Sequence, residues 1–284
     1  MKLLVEVFDK KNLFVDKVDG IILPLEGFSV ESVTFFNLEE IKEIASNSSY
    51  EVFVKLNKNF MNEDIDSLKQ VLIELEQCSI KGVFFYDLAV LELKRELSLS
   101  LDLVWNQTHM VNNYRTCNYY FQKGVKYALL GKEITLDEID EIIDKSDIVS
   151  MVEVVSKPSV AFSKRKLLSN YYHDLGMEKR GELIVQEKVT SDAYRVVEDD
   201  NGTSFFFDCI TNGTSIIQHL FQKKCSYIIM REYGIESNVF STLVYDTMDY
   251  IKNDCKDLDY INKYKKLGDS TNFFFKKTIY KVKK

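Results

Sequence analysis

The sequence is poor in the residues that most often announce a chemistry. It has three histidines, five cysteines and two prolines in 284 residues. His109, His173 and His219 lie far apart, and neither H-x-x-x-H nor H-E-x-x-H occurs, which argues against a zinc hydrolase. Cys78, Cys117, Cys209, Cys225 and Cys255 are odd in number and form no C-x-x-C, so they read as small buried apolar residues of a reducing compartment. There is no G-x-G-x-x-G and no G-x-x-x-x-G-K-[ST], which disfavours dinucleotide and P-loop enzymes. No apolar run approaches the ~20 residues of a spanning helix. The leading MKLLVEVFDKK soon breaks into charge, too early for a secretory core. A cytoplasmic protein without a membrane partner is expected. The net charge of −7 excludes a generally basic surface for nucleic acid but leaves room for local patches.

What is present is ordinary globular material, 45% hydrophobic and 29% charged, in a chain long enough for a full core. Short apolar runs recur at Leu3–Phe8, Gly20–Leu25, Glu51–Asn57, Gly82–Asp87, Leu101–Trp105, Lys126–Leu130 and Ile148–Val155. They lack strict alternation, as strands covered on both faces do. Amphipathic helical patterns separate them, among them Asn37–Ala45 with an Asn cap, Asn62–Cys78, the run after Asp87, and Thr135–Lys145 with its T-x-x-E capping box. This rhythm predicts βαβ crossovers and an α/β fold of the (β/α)8 TIM-barrel type. Residues 1–155 would supply the first seven units. Residues 156–208 read as an irregular basic loop with a small β insertion after strand seven, including a hairpin turn at Asp199–Gly202. Residues 209–284 would complete the barrel, with strand eight at Ser226–Met230, a helix at Asn238–Asn253 and a cationic extended tail at Thr271–Lys284.

Barrels of this kind place their sites at the strand C-termini. The polar residues expected there are Asn57, Asp87, Trp105, Asn106, Lys132, Glu133 and Arg231, with Asp87 and Glu133 as candidate acid–base carboxyls and the others as substrate contacts. The plain alternative is that these are loop polars and helix caps. Lys157, Lys164, Arg165 and Lys166, interleaved with Phe162, Tyr171 and Tyr172, form a basic aromatic segment suited to RNA. Asn113 joins this set of binding candidates.

The run K-E-I-T-L-D-E-I (Lys132–Ile139), followed by V-E-V-V-S-K-P-S-V-A-F-S-K-R-K-L-L-S-N-Y (Val152–Tyr171), resembles the peptidase U32 family, the collagenase-like proteases. Val54–Asp64, Asp87–Leu91 and Asn212–Leu220 match further family segments in order. Trp105–Thr108, Asn113–Tyr119 and Phe273–Tyr280 are similar to a short-chain subgroup implicated in 5-hydroxylation of a tRNA wobble uridine beside a longer relative. The resemblance implies a barrel and, in several members, a 4Fe-4S cluster on four cysteines. Here those positions fall on Ser159, Lys166, Leu183 and Ser215, and the family histidine falls on Val155. Leucine cannot ligate iron and an ammonium repels it, so no metal ligands and no cofactor are expected. The resulting expectation is a cluster-less accessory subunit of tRNA hydroxylation that binds tRNA, a longer cluster-bearing U32 relative, or both. The alternatives are a collagenase-like peptidase, for which no nucleophile–base pair is visible, and a catalytically degenerate barrel acting as a scaffold.

Overall fold

The apolar runs fold as short parallel strands, buried along nearly their whole length. They are β1 (Lys2–Glu6), β2 (Gly20–Pro24), β3 (Glu51–Leu56), β4 (Gly82–Phe85), β5 (Leu103–Trp105), β6 (Tyr127–Leu129) and β7 (Val149–Ser156). The computed structural model describes residues 1–11, 13, 17–107, 109–178, 181–188, 192–268 and 274. After β7 come β8 (Ser159–Ser163), β9 (Glu182–Gln186), β10 (Ala193–Asp199) and β11 (Gly202–Phe207), then the two-residue β12 (Thr211–Asn212) and β13 (Tyr227–Arg231). Strands β1 to β6 pair in sequence, β6 pairs with β7, β7 with β13 and β13 with β1. The ring of eight parallel strands is therefore closed, a TIM barrel, and β12 adds an antiparallel rider on β7.

Helices α1 (Leu38–Asn47), α2 (Ile65–Glu76), α3 (Leu88–Glu96), α4 (Tyr114–Gln122) and α5 (Leu136–Lys145) fill the crossovers. Thr135 closes the reciprocal capping box with Glu138 that its spacing predicts, and Asn37, expected as a cap, closes one with Glu40 as well. Next come α6 (Leu167–Asp174), α7 (Ile217–Gln222), α8 (Ser237–Lys252) and α9 (Leu258–Tyr264). Helices α4, α6 and α9 and strand β8 are not evident from sequence. Tyr, Asn and Thr in α4 are indifferent helix formers with no leucine stripe, so packing decides their state.

Side chains alternate across each strand, so the barrel has two cores. Leu3, Val5, Val52 and Val54 point outward to the helices. Leu4, Phe53, Phe84, Tyr127, Met151 and Tyr227 fill the inside. Phe53 lies edge-on to Phe84, Tyr127 and Tyr227 at 5.7, 5.9 and 6.0 Å, which plugs the N-terminal end of the barrel.

Strands β8–β11 form a separate antiparallel sheet in the order β8-β11-β10-β9, the small β insertion expected after strand seven. Asp199 pairs with Gly202 across the predicted hairpin turn. Gly202 has φ 146°, and a Cβ there would lie 2.1 Å from the Ser163 carbonyl oxygen, so no other residue fits without moving β8. An ion chain ties this sheet to the barrel: Lys157 Nζ to Asp208 at 2.5 Å, Asp208 to Arg195 at 3.2 Å, and Arg195 to Glu182. The expected extended tail lies outside the described residues except for Phe274, which is buried.

Phe53→Ala should empty the centre of the aromatic plug and lower stability by about 3–5 kcal/mol. Urea unfolding followed by circular dichroism measures this; a wild-type midpoint would contradict the packing described.

Candidate functional site at the barrel mouth

The inward positions change character along each strand. Leu4 is followed two residues later by Glu6, Phe53 by Lys55 and then Asn57, Met151 by Glu153, and Ile229 by Arg231. The same alternation that fills the lower barrel with apolar groups thus collects charges at its C-terminal end. Glu6 and Lys55 are at most 1% exposed. A buried ion must be paired, and these are. Lys55 Nζ donates to Glu6 Oε1 at 3.0 Å and to Ser32 Oγ at 2.9 Å, and Ser32 Oγ donates to the same Glu6 oxygen at 2.9 Å. Arg231 Nε stands 3.3 Å from Glu6 Oε2 and 2.6 Å from Glu153 Oε2. Lys132 Nζ reaches Glu153 Oε1 at 3.1 Å, and Ser156 Oγ donates to that oxygen.

Burial alone would raise both carboxyls. The Arg231 and Lys55 charges nevertheless hold Glu6 below the usual range. Arg231 and Lys132 do the same for Glu153, which is pulled down to about 2. The Arg231 Nε contacts are electrostatic, without hydrogen-bond alignment, so Nε, Glu6 Oε2 and Glu153 Oε2 remain buried without a hydrogen-bond partner among the described residues.

Two adjoining cavities open above this floor, separated by Ser159 and Val160 at the start of β8. One, of about 60 Å³, is lined by Lys132, Glu133, Glu153, Ser156, His109 and Phe274 among others. The other, of about 250 Å³, is lined by Glu31, Asn57, Tyr86, His109 and Phe162 among others. Glu31 sits in the left-handed region at φ 56°, a conformation that costs a non-glycine residue roughly 1–2 kcal/mol. Its carboxylate accepts from Ser159 Oγ at 2.7 Å, which ties the β2 loop to the insertion sheet.

The rim residues expected from sequence are placed in different ways. Lys132, Glu133 and Asn57 line the cavities, and Arg231 lies in the ionic floor. Asn57 Oδ1 accepts from Val30 N at 3.0 Å, and Asn106 is buried, its backbone N donating to the Phe85 carbonyl at 2.9 Å. Trp105, expected at the mouth, is instead fully buried among the helices. It follows the inward-facing Val104, so it points outward, stacking on Tyr120 at 3.9 Å and donating from Nε1 to Gln107. Asp87 follows the same logic. One oxygen caps α3 at Ala89 N and the other accepts from Phe60 N, so both are engaged structurally. Asn113 is the exposed N-cap of α4 and lines neither cavity. In the basic segment, Lys157 is buried on Asp208, and Lys166 donates to the Asp199 carbonyl and lies 3.4 Å from Asp200. Lys164, Arg165 and Tyr171 are exposed.

Set against known sequences, the profile of peptidase family U32 matches residues 11–223. The chain belongs to peptidase family U32. Among curated U32 relatives, tRNA hydroxylation protein P2 of Bacillus subtilis (strain 168) is 28% identical over 278 residues, 89% of this chain and 87% of that protein. tRNA hydroxylation protein P1 of the same organism is 24% identical over 139 residues, 48% of this chain and 33% of that protein. The chain is thus a U32 member that is similar to tRNA hydroxylation protein P2 over most of its length. Among solved structures, 3-hexulose-6-phosphate synthase from Salmonella typhimurium overlays with a TM-score of 0.44 at 10% identity, covering 87% of this chain and 100% of that one, too loosely to bear on function.

The iron–sulfur cluster that the U32 resemblance implies does not fit the residues present. Ser159 stands between the cavities, Lys166 precedes α6, Leu183 is on β9 and Ser215 is exposed before α7. The cysteines are dispersed over other elements. Burial pushes the thiols of Cys117 and Cys225 up to about 12, so both are protonated, apolar side chains of the core. No group of three or more metal-ligating side chains occurs among the described residues.

Sequence reading missed Glu6, Lys55, Glu153 and His109. For the first three a signal was present: each is a lone charge inside an apolar strand, at an even offset from residues that fill the barrel. His109 had none, since its place depends on the path of the β5–α4 loop.

Glu153→Gln removes the anion shared by Arg231 and Lys132, and should cost about 3–5 kcal/mol near neutral pH. The wild-type carboxyl is lowered from its ordinary 4.5 to about 2, so its stabilisation is complete above pH 4.5 and lost as pH falls toward 2. The variant should therefore show a flatter acid limb in that interval. Urea titrations across the pH range measure both effects, and an unchanged profile would refute the assignment.

Proposed function

We propose that this chain serves tRNA hydroxylation in the cytoplasm as a cluster-less subunit, working beside a longer U32 relative that carries the redox centre. The observation that carries this reading is similarity to tRNA hydroxylation protein P2 over 89% of this chain, together with the serine, lysine and leucine that fall where the family resemblance puts its four cysteines. A chain without converging thiolates can hold, orient or present RNA but has no residue set for iron–sulfur oxidation. The mouth keeps hydrogen-bonding groups of both kinds, Lys132, Glu133 and His109, as recognition of an unstacked base requires.

The peptidase reading finds no such support. The mouth hydroxyls of Ser156 and Ser159 donate to the carboxylates of Glu153 and Glu31, not to an imidazole base.

Deleting the gene should lower hydroxylated uridine in bulk tRNA, read by mass spectrometry of nucleoside digests, and expression in trans should restore it. An unchanged nucleoside profile would reject the proposal. Anaerobically purified protein should be colourless; four irons per chain would overturn its cluster-less part.

A further inference from the structure

We propose that β9 is the pairing edge of a symmetric dimer, in which two copies of this chain join their insertion sheets by antiparallel β9-to-β9 pairing centred on Ile184. Such pairing neither needs nor alters the functional reading above.

Four observations carry it. The first is an open edge. In the order β8-β11-β10-β9, β9 pairs with β10 alone among the described residues. The opposite edge, β8, is fastened to the β2 loop through Ser159 and Glu31. Natural sheets blunt an open edge with lysine, proline or a bulge. The β9 segment E-L-I-V-Q has no lysine and no proline, and its register with β10 runs without a shift. The second is exposed apolar surface at that edge. Five of the thirteen large apolar side chains exposed among the described residues lie between Tyr171 and Val185. Leu175 and Met177 follow α6 and lead into β9, where Ile184 is 53% exposed and Val185 44%.

The third is the direction of the backbone groups. The Glu187 amide donates to the Asp192 carbonyl at 2.8 Å, in register with the pairing of Gln186 and Ala193. Hydrogen-bonded positions alternate along an antiparallel strand, so Leu183 and Val185 bond to β10 while Ile184 turns its N–H and C=O to the open side. The fourth is self-complementarity, which selects a second copy over a strand of another sequence. A two-fold axis beside Ile184 sets Ile184 against its own copy, Leu183 against Val185 and Glu182 against Gln186. Apolar meets apolar, polar meets polar, and no two like charges face each other. Glu182 keeps Arg195 of its own chain as its partner. The mouth stays open in such a pair, because β8 beside the mouth is three strand spacings, roughly 14 Å, from β9.

The test is sedimentation velocity of the full-length protein from about 1 to 200 µM. A pair of five-residue strands is small beside the ~1,200 Å² of a stable interface, so monomer and dimer should exchange across this range. A monomer at every concentration would overturn the proposal. Ile184→Pro deletes the outward N–H and leaves the bonds of Leu183 and Val185 to β10, as an edge proline does. It removes one hydrogen bond donated by each copy, and should weaken association about tenfold or more with an unchanged circular dichroism spectrum. Ile184→Lys sets two like charges face to face, should have the same effect, and decides the matter where the proline variant does not fold. Dimers that survive these substitutions would overturn the assignment. Under mild oxidation Ile184→Cys, with Cα atoms about 5.5 Å apart across the axis, should gain an intermolecular disulfide over wild type, and Val185→Cys, about 8 Å apart, should not. Any other pattern would overturn the register. A monomeric wild type whose binding to a longer U32 relative is lost in Ile184→Lys would give the edge to that protein and overturn self-pairing.

Discussion

A charge placed inside a barrel of parallel strands must find its counter-charge inside the same barrel, because no water competes for it there. Glu6, Lys55, Glu153 and Arg231 come from β1, β3, β7 and β13, and Lys132 comes from the loop after β6. Their pairing fixes the mutual positions of five strand ends and so the shape of the mouth. Such a cluster is a poor investment for stability alone, since well-packed apolar residues of similar volume usually serve as well or better. The cluster lies below the two cavities, at the end of the barrel where the fold generally places its sites.

Much of the architecture was legible because strands covered on both faces must be apolar throughout, and eight such runs separated by amphipathic helices have few other arrangements. The candidate site was legible only in part. Listing the polar residues just past each strand found Asn57, Lys132, Glu133 and Arg231, which the fold does bring to the mouth. It also took in Trp105 and Asp87, which strand parity turns toward the helices. It passed over Glu6, Lys55 and Glu153, which parity turns inward. The period-two rule applied from Leu4, Phe53 and Met151 upward would have separated the two sets. The neutralisation of Lys157 and Lys166 was beyond sequence, since their partners Asp208, Asp199 and Asp200 are placed by the pairing of β10 with β11.

Family membership by itself does not assign a chemistry. Peptidase family U32 supplies the fold, while the five cysteines of this chain are dispersed over separate elements. Activity resides in sites rather than in folds, and a barrel can lose one chemistry while keeping the scaffold around it. What this chain retains is the polar mouth, the insertion sheet beside it and the ion chain from Lys157 to Glu182 that locks that sheet in place.

Only Lys157 and Pro158 separate β7 from β8. Strand β7 carries Glu153 and Ser156 in the ionic floor, while β8 is an edge of the insertion sheet and divides the two cavities. With so little slack, the sheet and the floor are mechanically one lever. Any displacement of the sheet therefore has to be absorbed within two residues of the strand that bears Glu153 and Ser156.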